Sequence, residues 1–203
     1  MRKIGLMGGT FDPVHFGHLI LAEQAREEAK LDQVIFMPAK SSPYKVDLRC
    51  VSGEHRFNMI SLAIKSNPAF TVSDMELKGP DISYTIDTLE ALQLLLGTDC
   101  LLHFICGTDA FIGMVGWKNK EKLLRDYPLI VGSRPRYRDR ARDEMISKIS
   151  LEYGTRVQKV HMPKIDISST DIKERISGGR SVHYMLPDEV IGYMKANGLY
   201  RNL

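Results

Sequence analysis

Short apolar runs recur along the chain, separated by longer stretches in which apolar residues return every three or four positions. Runs such as LLHFIC and VIFM show no alternation of apolar and polar residues, which is typical of strands covered on both faces. We therefore predict six strands, at residues 3–7, 33–37, 70–73, 101–106, 129–132 and 156–160.

The stretches between these runs have the apolar spacing of helices. The first carries Leu19, Ala22, Ala25 and Ala29 on one face. Others are indicated by Phe57, Ile60 and Ile64, by Ile86, Leu89, Leu92 and Leu96 before Gly97, by residues 143–152, by a start at Ser169, and by a segment from Pro187 (as N1) to Asn197-Gly198. The alternation predicts an α/β fold with a doubly wound, mostly parallel sheet, which binds ligands at the carboxyl ends of its strands.

The chain length and composition are those of a globular protein. With 203 residues, we expect a single domain over 1–203 with the C-terminal helices (about 168–203) packed on it. A charged fraction of 26% excludes a disordered chain or a coiled coil. No apolar run approaches the roughly 20 residues that cross a bilayer, and MRKIGLMGG meets glycines and Asp12 too early for an export signal.

The cysteines and the net charge indicate which compartment and which binding partners to expect. Cys50, Cys100 and Cys106 are too few for a disulfide framework or a zinc site, and we expect buried apolar thiols in a reducing, cytoplasmic compartment. A net charge of +3 suits anionic small substrates and is too weak to predict nucleic-acid binding. No membrane partner is expected, and a homo-oligomer is compatible with the sequence.

The first predicted strand ends in a loop with the residues of a phosphate site, GGTFDPVHFGH (8–18). Adjacent glycines allow close approach of a ligand, and the following helix start favours anions. His15 and His18 face the same side of that helical turn, and Gly17 leaves room beside them. A Walker A loop and G-x-G-x-x-G are both absent, and a metal site lacks a third ligand. A glycine-rich turn with two incidental histidines is the remaining alternative.

The string GGTFDPVHFGHL resembles the signature of bacterial nicotinate-nucleotide adenylyltransferases, in the H-x-G-H nucleotidyltransferase superfamily. The resemblance implies a Rossmann-like fold and transfer of AMP from ATP to nicotinate mononucleotide, which gives nicotinate adenine dinucleotide (deamido-NAD) and pyrophosphate in NAD biosynthesis. It implies Mg²⁺ carried with ATP and no metal site in the protein. The residues it implicates in catalysis are His15, His18 and Thr10, and those in ATP binding include Gly8, Gly9 and Phe11.

A later segment, ISSTDIKER (167–175), also combines donors for an anion. Consecutive hydroxyls at a helix start lie beside free backbone N–H groups, although in isolation a well-capped helix is the commoner explanation. The first loop favours the anion site, because ATP needs donors from more than one element. The segment resembles the family's I-S-S-T-x-I-R, with Lys173 in place of the usual arginine, which loses bidentate geometry. The resemblance implies that Ser168, Ser169, Thr170 and Lys173 bind the ATP phosphates.

Other segments resemble the acceptor-binding parts of the family. Ser83–Leu89 is similar to S-Y-T-x-x-T-L, in which the helix start at Thr85 can accept a carboxylate. Trp117, the single tryptophan, can stack on a pyridinium ring, Lys118 can bind through its backbone N–H, and Asp109 can bind a ribose hydroxyl. Lys45 and Arg134 match family positions at the ATP end. The alternatives are a related adenylyltransferase for nicotinamide mononucleotide or phosphopantetheine, and a non-catalytic nucleotide sensor.

Overall fold

A computed structural model describes residues 1–41, 50–132, 139–163 and 165–201. Its strands are β1 (Arg2–Gly9), β2 (Gln33–Pro38), β3 (Phe70–Val72), β4 (Cys100–Gly107), β5 (Leu129–Gly132) and β6 (Val157–Val160). The helices within these ranges are α1 (Phe16–Glu28), α2 (Gly53–Ile64), α3 (Met75–Lys78), α4 (Thr85–Leu96), α5 (Thr108–Gly113), α6 (Lys120–Asp126), α7 (Asp139–Tyr153), α8 (Ser169–Ser177) and α9 (Asp188–Ala196), with a 3-10 turn at Met114–Gly116.

The strands form one six-stranded sheet in the order β3-β2-β1-β4-β5-β6. Every neighbouring pair is parallel, as in Met7 opposite Phe36 on β2 and opposite Ile105 on β4. The predicted α/β fold with a doubly wound parallel sheet is confirmed. The chain order changes direction between β1 and β4, so the switch point where such sheets bind ligands lies beside Gly9 and Gly107.

Two apolar layers cover the sheet, and successive strand residues enter opposite layers. Met7 joins the layer formed by α1, α2, α8 and α9, whereas its neighbour Leu6 joins the layer formed by α4, α6 and α7. Both faces are therefore buried, which is why the strand sequences do not alternate. Each fully buried large apolar side chain contributes about 1.5–3 kcal/mol to this packing.

The helix predictions differ from the structure in a few places. Pro187 is the N-cap, with an extended ψ of 145°, and α9 begins at Asp188, so the assignment of Pro187 to N1 is wrong by one residue. The helices α3, α5 and α6 were not predicted because each is too short, at four to seven residues, to show a repeating apolar spacing. At the end of α4, Gly97 has a φ of 78°, which glycine adopts without steric cost.

The cysteine prediction holds for two of the three residues. Cys100 and Cys106 are buried, and burial raises the pKa of the Cys106 thiol to about 12. Cys50 is exposed, because it lies outside the strands and helices, just ahead of α2. Within the described residues, no helix has the length and apolar character needed to cross a membrane.

The C-terminal elements pack on the same sheet face as α1 and α2. Val182, Leu186, Val190 and Met194 are buried in that apolar layer. The buried Tyr200 belongs to it as well. This packing brings the C-terminal segment to the loop that follows β1. That residues 1–203 form a single domain stays a prediction.

Candidate active site

The loop between β1 and α1 holds the two predicted catalytic histidines against each other. His15 is the N-cap of α1 and only 1% exposed. Its backbone N–H donates to Nδ1 of His18 at 3.3 Å, and the two rings stack with centroids 3.7 Å apart. Phe11, buried beneath them, meets the His18 ring edge-on at 5.0 Å.

These contacts determine the proton position on a neutral His18 ring. Because Nδ1 accepts the backbone N–H, the ring proton of the neutral imidazole lies on Nε2. His18 can therefore act as a hydrogen-bond donor through Nε2 towards a phosphate oxygen. His15 provides its stacked neighbour at the positive end of α1.

Gly17 is required by the histidine pair itself. A Cβ at this position would lie 3.0 Å from Cε1 and Nδ1 of His15 and 3.7 Å from the carbonyl oxygen of Ile167. The sequence suggested that Gly17 leaves room for a phosphate. The structure adds that the space beside it is already used by the His15 ring and by the segment leading into α8.

The two predicted phosphate loops lie together in the structure. The Ser169 hydroxyl donates to the carbonyl oxygen of Pro13 at 2.9 Å. Four residues further along α8, Lys173 Nζ lies 3.0 Å from the Asp12 carboxylate. Ser168 is the N-cap of α8, and its hydroxyl oxygen accepts the Asp171 N–H at 3.1 Å. The starts of α1 and α8 thus form one site, with Thr170 exposed beside them.

The predicted acceptor residues gather at the start of α4. Thr85 is the first residue of that helix and follows the N-cap Tyr84, so its N–H is among those without an intrahelical acceptor. Lys118 Nζ lies 2.9 Å from Asp87 in the first turn and 4.3 Å from the centre of the Tyr84 ring. The Lys118 side chain therefore lies at the start of α4, where Thr85 is the first residue, while the predicted contact of its backbone N–H with the acceptor stays a prediction.

Trp117 connects this acceptor side to the phosphate side. Its indole is half-buried at the end of the 3-10 turn and meets the Phe104 ring edge-on at 5.9 Å. The same Phe104 ring lies 3.8 Å from where a Cβ on Gly8 would be. Phe104 thus lies between Trp117 and the carboxyl end of β1, where Gly8 and Gly9, the two glycines predicted to bind ATP, end the strand.

Of the three remaining predicted site residues, the structure describes one, Asp109. Asp109 is exposed in the first turn of α5, which begins directly after β4, with Gly107 as its N-cap. This places Asp109 at the carboxyl end of β4, on the edge of the sheet that carries the histidines. Lys45 and Arg134 lie outside the described residues.

The half-buried carboxyl group of Glu76 supports the start of α4. Glu76 on α3 accepts a hydrogen bond from the Thr88 hydroxyl at 2.7 Å. Burial raises the pKa of Glu76, while the hydrogen bonds from Thr88 and Ser83 oppose that shift. The hydrogen bond joins the second turn of α4 to α3 and helps to fix where α4 begins.

Two residues next to the site were missed by sequence reasoning. Arg56 is only 2% exposed, and it donates through NH1 to the Thr10 carbonyl oxygen at 2.8 Å and through Nε to the Val51 carbonyl oxygen at 3.2 Å. Tyr200 donates its hydroxyl to Asp12 at 2.7 Å. A charged residue four positions before Ile60, on the apolar stripe of α2, was a usable signal for Arg56, whereas Tyr200 had none.

Comparison with known proteins gives matches along nearly the whole chain. A family model described as cytidylyltransferase-like matches residues 6–175. A protein named probable nicotinate-nucleotide adenylyltransferase from Thermoanaerobacter sp. (strain X514) is 42% identical over 199 residues, covering 98% of this chain and 94% of the relative. Its namesake from Carboxydothermus hydrogenoformans (strain ATCC BAA-161 / DSM 6008 / Z-2901) is also 42% identical over 199 residues, covering 98% of each.

Solved structures share the fold at lower sequence identity. Plasmodium falciparum nicotinic acid mononucleotide adenylyltransferase complexed with NaAD has a TM-score of 0.82 at 17% identity, covering 100% of this chain and 99% of the other. A putative nicotinate-nucleotide adenylyltransferase from Vibrio parahaemolyticus has a TM-score of 0.68 at 20% identity, with 100% and 98% covered. These identities speak for the fold alone. The full-length relatives near 40% identity carry the assignment: the chain belongs to the cytidylyltransferase-like family and, within it, to the nicotinate-nucleotide adenylyltransferases.

Proposed function

We propose that this protein transfers the adenylyl group of ATP to nicotinate mononucleotide and releases pyrophosphate. The observation that carries the proposal is the joining of two anion-binding helix starts, α1 and α8, through the Ser169–Pro13 hydrogen bond of 2.9 Å. ATP carries three phosphates and needs donors from more than one element. The family relationship supplies the acceptor.

The reaction needs no protein nucleophile. A 5′-phosphate oxygen of nicotinate mononucleotide attacks the α-phosphorus of ATP, a new P–O bond forms, and the bond to the pyrophosphate oxygen breaks. The acceptor phosphate is already ionised, so the protein contributes position and charge stabilisation. The product, nicotinate adenine dinucleotide, retains both phosphates in its new linkage.

On the phosphate side, His18 donates from Nε2 to an oxygen on the α-phosphorus, where negative charge grows as the acceptor attacks. His15 and Thr10 hold the same end of ATP, while Ser168, Ser169, Thr170 and Lys173 hold the leaving pyrophosphate. Gly8, Gly9 and Phe11 shape the floor beneath the nucleotide. In the structure Lys173 is paired with Asp12, so a phosphate contact requires Nζ to serve both anions.

On the acceptor side, backbone N–H groups at Thr85 receive the nicotinate carboxylate, and Trp117 stacks on the pyridinium ring. Lys118 adds positive charge beside this carboxylate, and Asp109 binds a ribose hydroxyl. Helix N-termini favour an anion over a neutral amide. This is the physical basis for expecting nicotinate over nicotinamide.

We expect ATP to arrive with a Mg²⁺ ion held by its phosphates and water, where the ion offsets the charge of the leaving pyrophosphate. Within the ranges that the structure describes, no group of three or more His, Cys, Asp or Glu side chains could hold a metal ion. A cytoplasmic location and assembly into a homo-oligomer stay predictions.

The proposal is tested by pyrophosphate release with ATP and each of three acceptors in turn. Charge-assisted hydrogen bonds contribute roughly 1.5–3 kcal/mol each. With two such bonds, kcat/KM for nicotinate mononucleotide should exceed that for nicotinamide mononucleotide by about 10²-fold or more. Phosphopantetheine should release no pyrophosphate.

Equal kcat/KM for the two mononucleotides would contradict the role of Thr85 and its neighbours. Turnover with phosphopantetheine alone would assign the chain to a different reaction. Nucleotide binding without pyrophosphate release from any acceptor would indicate a sensor. Chelation of divalent metal should abolish turnover, and addition of Mg²⁺ should restore it.

A further inference from the structure

Asp12 lies at the centre of a buried cluster of polar side chains beside the histidine loop. Asp12 is only 3% exposed. Its Oδ1 accepts the Tyr200 hydroxyl at 2.7 Å and the Val51 N–H at 3.3 Å, while Oδ2 accepts from Lys173 at 3.0 Å. Segments from three distant parts of the chain thus converge on one carboxylate.

The backbone on both sides of Asp12 is held in the same way. The Thr10 carbonyl oxygen accepts from Arg56 at 2.8 Å, and the Pro13 carbonyl oxygen accepts from Ser169 at 2.9 Å. Val14 is fully buried in the apolar layer below. Residues 10–15, which lead directly to the His15–His18 pair, are therefore fixed by contacts from α2, α8 and the C-terminal segment.

The charges of the cluster favour a neutral, donating Tyr200. Burial raises the pKa of the Tyr200 hydroxyl far above its usual range, and the nearby Asp12 raises it further. Burial also lowers the pKa of Arg56, although Asp12 and other neighbours oppose this shift. Tyr200 is therefore neutral and donates its hydroxyl proton to Asp12.

We propose that Tyr200 and Arg56 are positioning residues for the adenylyl transfer, holding residues 10–15 so that His15 and His18 face the α-phosphate. Neither side chain needs to touch ATP. Tyr200 acts through Asp12, and Arg56 acts through the Thr10 carbonyl. The inference rests on the proposed function for its kinetic test, and it has a second test in the ligand-free protein.

The experiment compares Tyr200→Phe with Tyr193→Phe. Tyr193 offers a matched hydroxyl in the same C-terminal region, bonded to His55 at 2.9 Å and to Asn58 at 3.0 Å rather than to residues 10–15. Both variants lose one hydroxyl from a half-buried or buried phenol. They should differ in which histidines they disturb.

The first measurement uses imidazole nitrogen NMR of the ligand-free proteins. Tyr200→Phe should shift the His15 and His18 resonances and leave His55 unchanged. Tyr193→Phe should shift His55 and leave His15 and His18 unchanged. A merely structural role for Tyr200 would lower the melting temperature without this selective pattern.

The second measurement is the kinetic split at a temperature well below melting. Displacing a loop that carries catalytic donors lowers kcat, so Tyr200→Phe should lose roughly 10-fold in kcat with KM for nicotinate mononucleotide nearly unchanged. Tyr193→Phe should retain the wild-type kcat. Arg56→Lys, which keeps the charge but not the forked donors, should repeat the Tyr200→Phe signature and serves if that variant does not fold.

Folded Tyr200→Phe or Arg56→Lys with wild-type kcat and unshifted His15 and His18 resonances would overturn the inference. A wild-type protein without adenylyl transfer would overturn the proposed function instead. In that case the resonances alone would decide whether Tyr200 positions the histidine loop.

Discussion

The phosphate side and the acceptor side of the site each contain a lysine–aspartate pair, and the two pairs differ in burial. The side chains of Lys173 and Asp12 are 16% and 4% exposed, whereas those of Lys118 and Asp87 are 44% and 52% exposed. A buried charge needs a fixed partner, because leaving it alone is costly. An exposed pair is screened by water and can exchange one anion for another at little cost.

The difference in burial indicates that the two sides of the site contribute to binding in different ways. Around the histidines, backbone carbonyls and carboxylate oxygens are already engaged, so we expect the donors proposed for ATP to be in place before the nucleotide binds. Around Thr85 and Lys118, the contacts are partly exposed and can adapt to the acceptor. Preorganised donors contribute most to charge stabilisation in a reaction, and we expect the phosphate side to dominate kcat.

The largest expected effect comes from removing a donor on the phosphate side. His18→Ala should lower kcat by about 10²–10³, equivalent to roughly 3–4 kcal/mol, because the Nε2 donor strengthens as charge builds on the α-phosphate. KM for ATP should change much less, since Thr10 and the α8 start remain. Steady-state kinetics with saturating Mg²⁺ and thermal melting check this.

The matched control is His183→Ala, which removes an exposed imidazole paired with Asp188. It should leave kcat unchanged. An His18→Ala protein that melts early with normal kcat would make His18 structural. Loss of ATP affinity alone would make it a uniform binding group.

The next effect compares the two ion pairs directly through stability. Lys173→Met leaves the buried Asp12 carboxylate without the Lys173 ammonium group, while the hydrogen bonds from Tyr200 and the Val51 N–H remain. The free energy of unfolding should fall by about 3 kcal/mol. Lys118→Met breaks the exposed pair and should leave the unfolding free energy unchanged within error. Urea unfolding of both ligand-free variants measures the difference, and equal losses would remove the distinction drawn between the two sides.

The smallest expected effect concerns binding of the acceptor. Trp117→Ala should raise KM for nicotinate mononucleotide roughly 5- to 30-fold, because stacking on a charged ring contributes about 1–2 kcal/mol. KM for ATP should be nearly unchanged. Steady-state kinetics with each substrate varied in turn gives both values, and a variant that loses ATP affinity or stability instead would show that the indole serves the packing against Phe104.

Local sequence pattern was sufficient for the parts of the fold that depend on neighbours in the chain. All six strands were predicted because both their faces are apolar, and the loop before α1 was recognised because Gly8, Gly9, His15 and His18 lie within eleven residues. The structure joins this loop to the start of α8 through the Ser169–Pro13 contact. The individual roles of the site residues stay predictions.

What the sequence did not reveal depends on contacts between remote positions. Lys173 and Asp12 are 161 positions apart, and Tyr200 and Asp12 are 188 apart, so no local spacing links them. Lys173 was interpreted as a phosphate ligand from its motif, while its pairing with Asp12 emerges only from the packing of α8. The helices between residues 108 and 126 were missed because Gly113 and Gly116 indicated a loop.

The same long separations bear on how the protein reaches its native state. The loop after β1 acquires its shape only when α2, α8 and the segment carrying Tyr200 have docked, and closing such long loops costs entropy before any contact compensates for it. A partly folded chain in which β1, α1 and β2 have packed together still lacks a complete nucleotide site. Nucleotide affinity therefore reports on completed folding, and a bound nucleotide selectively stabilises the fully folded chain over its partly folded forms.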